Sequence, residues 1–284
     1  MLGLARFAMK SPLHTGILAA LFAAIPMLYA LSAALVALTT LRYGTTQGTR
    51  ILAAAMVGAM FSWQMSGIPL PLLALPFVTI LALVLRSTQR WSVTLLAGSV
   101  TAFLLANGLQ IMFSEQIGSI MDIVQDALTG GDTSLPLWQL IESSKSIAGY
   151  LILTSLLLES YLMLLLGRYW QAGLYNPGGF RAELHNLRFS RQEVAVLVGV
   201  IAISWFTEPA AVMLFGIPLI FAGIALVHGV IAKTKLGGQW LVAMYIGLVL
   251  FNQIIVPVLV CAAIIDAMVD LRSRLPSDAQ ANNE

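Results

Sequence analysis

Charge is what this sequence has least of. Its 284 residues include 15 Lys and Arg and 13 Asp and Glu, 10% of the chain, against roughly 25% in an ordinary soluble domain. Cysteine is nearly absent as well. The single Cys261 excludes an internal disulfide and any cysteine metal cluster. The three histidines, His14, His185 and His228, stand at no metal-ligand spacing. Walker and dinucleotide glycine patterns are missing, and no Ser–His–acid or Cys–His set assembles without inventing proximity. These absences point away from an enzyme and imply no cofactor, no metal and no nucleic-acid partner.

What fills the chain instead is apolar, 59% of it. Runs with little or no charge cover residues 15–41, 51–85, 92–113, 146–167, 194–232 and 240–265. About 20 such residues cross a bilayer as a helix, so 51–85 and 194–232 are each read as two helices. Barrel strands would alternate apolar and polar residues, and these runs do not. The pattern predicts an all-α, polytopic transmembrane helix bundle of eight to ten membrane segments, a single integral membrane domain over residues 1–284. Arg6 and Lys10 precede the first run as in a signal peptide. That run continues to Leu41 without a clear small-residue cleavage site, so it is expected to stay as the first membrane segment.

The few charges set an orientation, because Lys and Arg accumulate on the cytoplasmic side. The loop 167–193 carries Arg168, Arg181, Arg188 and Arg191, while Arg86 with Arg90 and Lys233 with Lys235 mark two shorter turns. Loop 114–145 is acidic, with Glu115, Asp122, Asp126, Asp132 and Glu142 against Lys145 alone. Placing that loop extracytoplasmic puts the basic loops, 167–193 included, in the cytoplasm. Run 15–41 is read as a short hairpin turning at Pro26, since proline removes a helix hydrogen bond. Run 240–265, interrupted by Asn252, Gln253 and Pro257, either crosses once or breaks and returns Arg272 and Arg274 to the cytoplasm. Trp63, Trp91, Trp170, Trp205 and Trp240 fall near the proposed helix ends, where headgroups suit an amphipathic ring.

Both long loops have internal structure. Ile117, Ile120, Met121 and Val124 recur at helical spacing against Glu115, Asp122 and Asp126. That predicts an amphipathic helix lying on the outer surface or capping the bundle. In the basic loop, Asn176-Pro177-Gly178-Gly179-Phe180 forces a turn. The segment after it reads either as plain positive-inside charge or as a partner contact through Arg181, Arg188 and Arg191.

Polar groups at membrane depth need partners and are functional candidates. Glu159, mid-run in 146–167, has no basic residue within a turn. Such a carboxyl group is carried as the neutral acid, or faces a wet cavity or a cation. Asn107 and Gln110 on the preceding helix are its expected partners. Asn252 and Gln253 would serve an unwound segment, and His228 reads as a structural histidine or a proton relay. Asp266, Asp270 and Arg274 are spaced for i,i+4 pairing. Ala19, Ala20, Ala23 and Ala24 form a double small-xxx-small pattern suited to close contact with a partner helix.

Three stretches together resemble the YybS-like family of predicted bacterial inner-membrane proteins. They are 26–44, ending Leu41-Arg42-Tyr43-Gly44; 167–191, with Asn176-Pro177-Gly178-Gly179-Phe180; and Ile264-Ile265-Asp266 followed by Asp270-Leu271-Arg272. The resemblance implies a multi-pass protein of the bacterial cytoplasmic membrane. A fainter similarity reaches the substrate-binding S components of energy-coupling-factor vitamin transporters, which also begin with a short helix, a proline-marked turn and a Tyr-Gly inner turn. There the first-helix alanines pack on a coupling subunit, which implies that role for Ala19, Ala20, Ala23 and Ala24. The expectation is a protein that binds or helps transport a small molecule through an outward-facing cavity. The alternative is a scaffold acting through protein–protein contacts in the envelope.

Overall fold

In the computed structural model, which describes residues 2–275, the chain is helical throughout and no strand occurs among the described residues. The helices are α1 (Leu2–Ala8), α2 (Pro12–Ala24), α3 (Tyr29–Tyr43), α4 (Thr45–Ser66), α5 (Leu70–Thr88), α6 (Trp91–Met112) and α7 (Ser114–Thr129). They continue as α8 (Pro136–Ser144), α9 (Ala148–Tyr175), α10 (Gly179–Asn186), α11 (Arg191–Thr207), α12 (Ala211–Lys233), α13 (Gln239–Leu250) and α14 (Asn252–Val269). Local chemistry sets the boundaries. Ser11 caps α2 with Pro12 at its first position, and Ser190 with Glu193 forms a capping box on α11. Gly44 and Gly67 end α3 and α4 at φ of +82° and +70°, a region glycine enters without a steric penalty.

Five helical stretches are long and apolar enough to cross a membrane: Leu70–Thr88, Trp91–Met112, Pro136–Tyr175, Ala211–Lys233 and Asn252–Val269. The pair α10 and α11, bent by 62°, makes a sixth if taken as one span. The protein is thus a multi-pass helical membrane protein. The expected eight to ten segments exceed this number for a physical reason. Run 15–41 folds as two short helices, α2 with 13 residues and α3 with 15, and the first half of run 240–265 as α13 with 12. At 1.5 Å per residue these reach only about 18–23 Å, short of a hydrocarbon core about 30 Å thick. Helix α4 is long, but Thr45, Thr46, Gln47, Thr49 and Arg50 dilute its apolar character.

Charge separates the two ends of the bundle. At one end Arg86 donates to the Leu41 carbonyl and the Arg42 guanidinium lies 4.2 Å from the Tyr175 ring centre. There too Arg168 pairs with Glu183, Arg90 with Glu193 at 2.8 Å, and Arg188 with Asp270 at 2.5 Å. Lys233 donates to the Arg272 carbonyl at 2.6 Å. Through these contacts the terminal turns of α3, α5, α9, α10, α11, α12 and α14 meet at one basic face. The opposite end carries α7 and α8, a hairpin held by Gln125 to the Trp138 carbonyl at 3.0 Å and by Lys145 to Asp122 at 2.6 Å. Ile117 and Ile141 are buried there, whereas Ile120, Ile123 and Leu128 are exposed.

Small residues let the helices approach. Gly58 on α4 sits where an added Cβ would fall 2.0 Å from the Ala20 carbonyl oxygen on α2. Gly223 on α12 faces the Leu259 carbonyl of α14 in the same way, at 2.4 Å. Gly58→Ala is therefore expected to lower stability by about 1–3 kcal/mol through overpacking. Gly108→Ala, with nothing within 4 Å of the new methyl, is expected to be neutral or slightly stabilising. Thermal unfolding of both variants in detergent checks this, and equal effects would contradict the packing account.

Candidate functional site

The carboxyl group of Glu159, in the middle of α9, pairs with an element distant in sequence. The Tyr29 hydroxyl donates to Glu159 Oε2 at 2.5 Å, and both side chains are half-buried. Glu159 lies about 14 Å along α9 from Arg168 and about 17 Å from Ala148, at 1.5 Å per residue. It is therefore close to mid-span. Tyr29 opens α3, directly after the break between α2 and α3. Met27 turns the chain there with φ of +71°, and Ile25 N donates to the Phe22 carbonyl at 3.4 Å while Leu28 N donates to that of Ile25 at 3.1 Å. Ala34 and Ala37 of α3 face Gly167 of α9, so α3 runs parallel to α9 and the tip of the α2–α3 hairpin stands level with Glu159. This hairpin enters from the basic end and stops halfway.

Two unpaired polar groups lie within two turns of Glu159 along α9. The hydroxyls of Ser160 and Thr154 are buried without a hydrogen-bond partner. A carboxyl group, a phenol and free hydroxyls at membrane depth make a set able to hold a proton, a cation or a polar solute. Among the described residues no group of three His, Cys, Asp or Glu side chains is placed to hold a metal.

The other sequence candidates fall elsewhere. Asn107 donates to the Phe103 carbonyl at 2.8 Å and Gln110 to the Ser146 carbonyl at 3.2 Å. Both belong to the acidic half of the bundle, so neither partners Glu159. The Gln110 carbonyl oxygen is buried without a partner. Asn252 and Gln253 start α14, exposed. His228 meets the Tyr245 hydroxyl at 2.9 Å. Ala19 and Ala23 are fully buried inside the chain, with the Ala19 carbonyl accepting from Ser32 at 2.7 Å, and Ala20 is taken up by Gly58. That face of α2 is used within the fold, with Ala24 at its half-buried margin. Arg181 and Arg191 are exposed, while Arg188 is held by Asp270.

Two contacts correct the reading of the basic end. Asp266 pairs with Arg272 at 3.2 Å, and Asp270 with Arg188, so Arg274 is not their partner. Helix α9 runs past residue 167 to Tyr175 because Arg168 is neutralised by Glu183 and Trp170 is fully buried. Trp91 is also buried, its ring nitrogen donating to Glu183 at 3.3 Å, so it and Trp170 are packing residues and not headgroup anchors. Arg188 holds the Asp270 carboxyl below the usual range.

Clefts of about 720 Å³ and 590 Å³ flank His185 at this basic end, the end opposite the one where an outward-facing cavity was expected. Comparison with known protein families, with curated proteins and with solved structures finds no match.

If Tyr29 and Glu159 depend on each other, their substitutions will not add. Glu159→Leu and Tyr29→Phe each leave a polar partner unpaired, at a cost of about 1–3 kcal/mol. The double variant is expected to lose less than the sum, by at least about 0.5 kcal/mol. Unfolding in detergent measures the cycle, and additive losses would remove the pair from the account.

Proposed function

We propose that this chain is a multi-pass protein of the bacterial inner (cytoplasmic) membrane that binds or helps transport a small molecule. It would have eight to ten membrane segments, the upper figure counting the six candidate spans, α4 and the short helices α2, α3 and α13. The basic end lies in the cytoplasm and the α7–α8 hairpin outside, as the positive-inside bias requires. The reading is of a non-enzymatic protein, and membership of the YybS-like family is part of the proposal, carried by the 26–44, 167–191 and 264–272 stretches.

The observation that carries it is the Tyr29–Glu159 pair at mid-span. A carboxyl group in hydrocarbon is disfavoured by about 2.5–3.5 kcal/mol on insertion scales, and such groups mark ion or substrate paths. Here the group is met by a half-length hairpin, and discontinuous helices at the bilayer midplane are the usual setting for transported solutes. Likeness to S components adds a coupling subunit as a partner. With Ala19 and Ala23 inside the fold, that contact would fall on exposed groups such as Arg181 and Arg191.

A scaffold role is the second reading, supported by the exposed Ile123, Leu128 and Leu140 on α7 and α8. Purification in mild detergent followed by mass spectrometry of bound solutes and co-purifying proteins separates the two. A solute recovered with the parent chain and lost with Glu159→Gln is the expected result. Envelope proteins at stoichiometric amounts with no solute would overturn the binding role in favour of the scaffold.

A further inference from the structure

The two clefts at the basic end share His185 and Ala232 as a common wall. One opens between α10, the end of α12 and the end of α14, and is lined by Arg188, Lys233, Asp270 and Arg272. The other opens between α10, α12 and the start of α13, with Arg181 beside apolar Leu184, Ile231 and Leu241. Five cations, Arg181, Arg188, Lys233, Lys235 and Arg272, thus line the two clefts against one carboxylate, Asp270, with Asp266 behind Arg272. Of these pairs, Arg188–Asp270 is solvent-exposed on both sides, at 43% and 41%, and an exposed pair is weak enough to exchange for a better anion. Arg272 is held from behind by Asp266 and by the His185 and Leu187 carbonyls.

The cleft has an apolar side. Helix α13 buries none of its residues, and Trp240, Val242, Tyr245 and Ile246 are exposed along it. The apolar groove is the wall of the cleft itself, Phe180, Leu184, Ile231 and Leu241, bounded where His228 and Tyr245 join α12 to α13 at 2.9 Å. A basic pocket between membrane helices at the cytoplasmic surface suits a phosphate-bearing lipid headgroup, and the groove suits its acyl chain. A free phosphate would use the cations alone and leave the apolar wall without a role.

We propose that the paired clefts around His185 bind an anionic phospholipid, its headgroup in the positive field of Arg181 and Arg188 and one acyl chain laid on the apolar wall of Leu184, Ile231 and Leu241. This inference rests on the proposed orientation, with the basic end cytoplasmic, and is independent of any solute at Glu159.

Native mass spectrometry of the full chain in mild detergent tests it, with dioleoylphosphatidylglycerol, dioleoylphosphatidylcholine or inorganic phosphate added. The expected result is one retained phosphatidylglycerol, with neither of the other two retained. Arg181→Gln with Arg188→Gln should weaken retention about fivefold for each cation, about twenty-five-fold together. Arg50→Gln, an exposed cation at the start of α4, should leave retention unchanged. Thermal unfolding of the lipid-free variants shows whether the fold survives, and phosphatidylglycerol should raise the midpoint of the parent chain but not of the double variant. Equal retention of the two lipids, equal losses in Arg50→Gln and the double variant, or retention of inorganic phosphate in place of lipid would each overturn the proposal.

Discussion

Hydrocarbon offers no hydrogen-bond partner, so a polar group deep in this chain is costly unless it finds one inside the chain. Most do, the hydroxyls of Thr154 and Ser160 being exceptions. That constraint explains the α2–α3 hairpin. Its tip spends Pro26, which has no N–H to satisfy, at the point where a helix must stop, and Ile25 and Leu28 close the turn on nearby carbonyls. Tyr29 comes next and brings a hydroxyl to mid-span, where Glu159 accepts it. The same rule acts on the hydroxyls of Thr39 and Thr79, which donate to carbonyls one turn back in their own helices at 2.9 Å and 2.8 Å. Tyr161, fully buried, reaches across to the Leu95 carbonyl of α6.

The basic end follows a different logic. Its guanidinium groups are not merely an orientation signal, because several of them bond backbone carbonyls of another helix. Arg86 takes the end of α3, and Arg272 takes the carbonyls of His185 and Leu187 just where α10 stops. Unsatisfied carbonyls at helix ends are what such donors suit. Gly229 lets this happen, since an added Cβ would fall 2.8 Å from the His185 carbonyl oxygen. The end where the basic residues gather therefore also ties those ends of the helices together, and the cleft around His185 is what remains open between them.

Much of the helical layout was legible because membrane helices announce themselves as long apolar runs. Both interrupted runs, at Pro26 and at Asn252, are breaks in the fold, since proline and paired amides each spoil an apolar helix locally. Glu159 was legible as a deep carboxyl group, but its partner was not. Asn107 and Gln110 were natural candidates on the preceding helix, yet α6 runs antiparallel to α9 and carries them past Glu159 to the level of Gly149. Tyr29 lies 130 residues away in sequence, and only the parallel packing of α3 on α9 brings it there. The alanines of α2 show the converse: a small-residue stripe states that something packs closely, not whether it belongs to the same chain. Trp170 misled for a similar reason, since position near a helix end cannot tell a headgroup anchor from a ring covered by a neighbouring helix.

The central claim is that the α2–α3 hairpin ends at bilayer mid-depth and delivers Tyr29 to Glu159. Met27, exposed at 87% on the tip, is the residue to probe. A spin label at this position, in the protein reconstituted into nanodiscs, reports depth through its relative accessibility to oxygen and to a water-soluble nickel chelate. The account predicts high oxygen and low chelate accessibility, as for a label near the bilayer centre. High chelate accessibility, matching that of a label at Asp132 in the acidic hairpin loop, would place the tip at the aqueous face and contradict it.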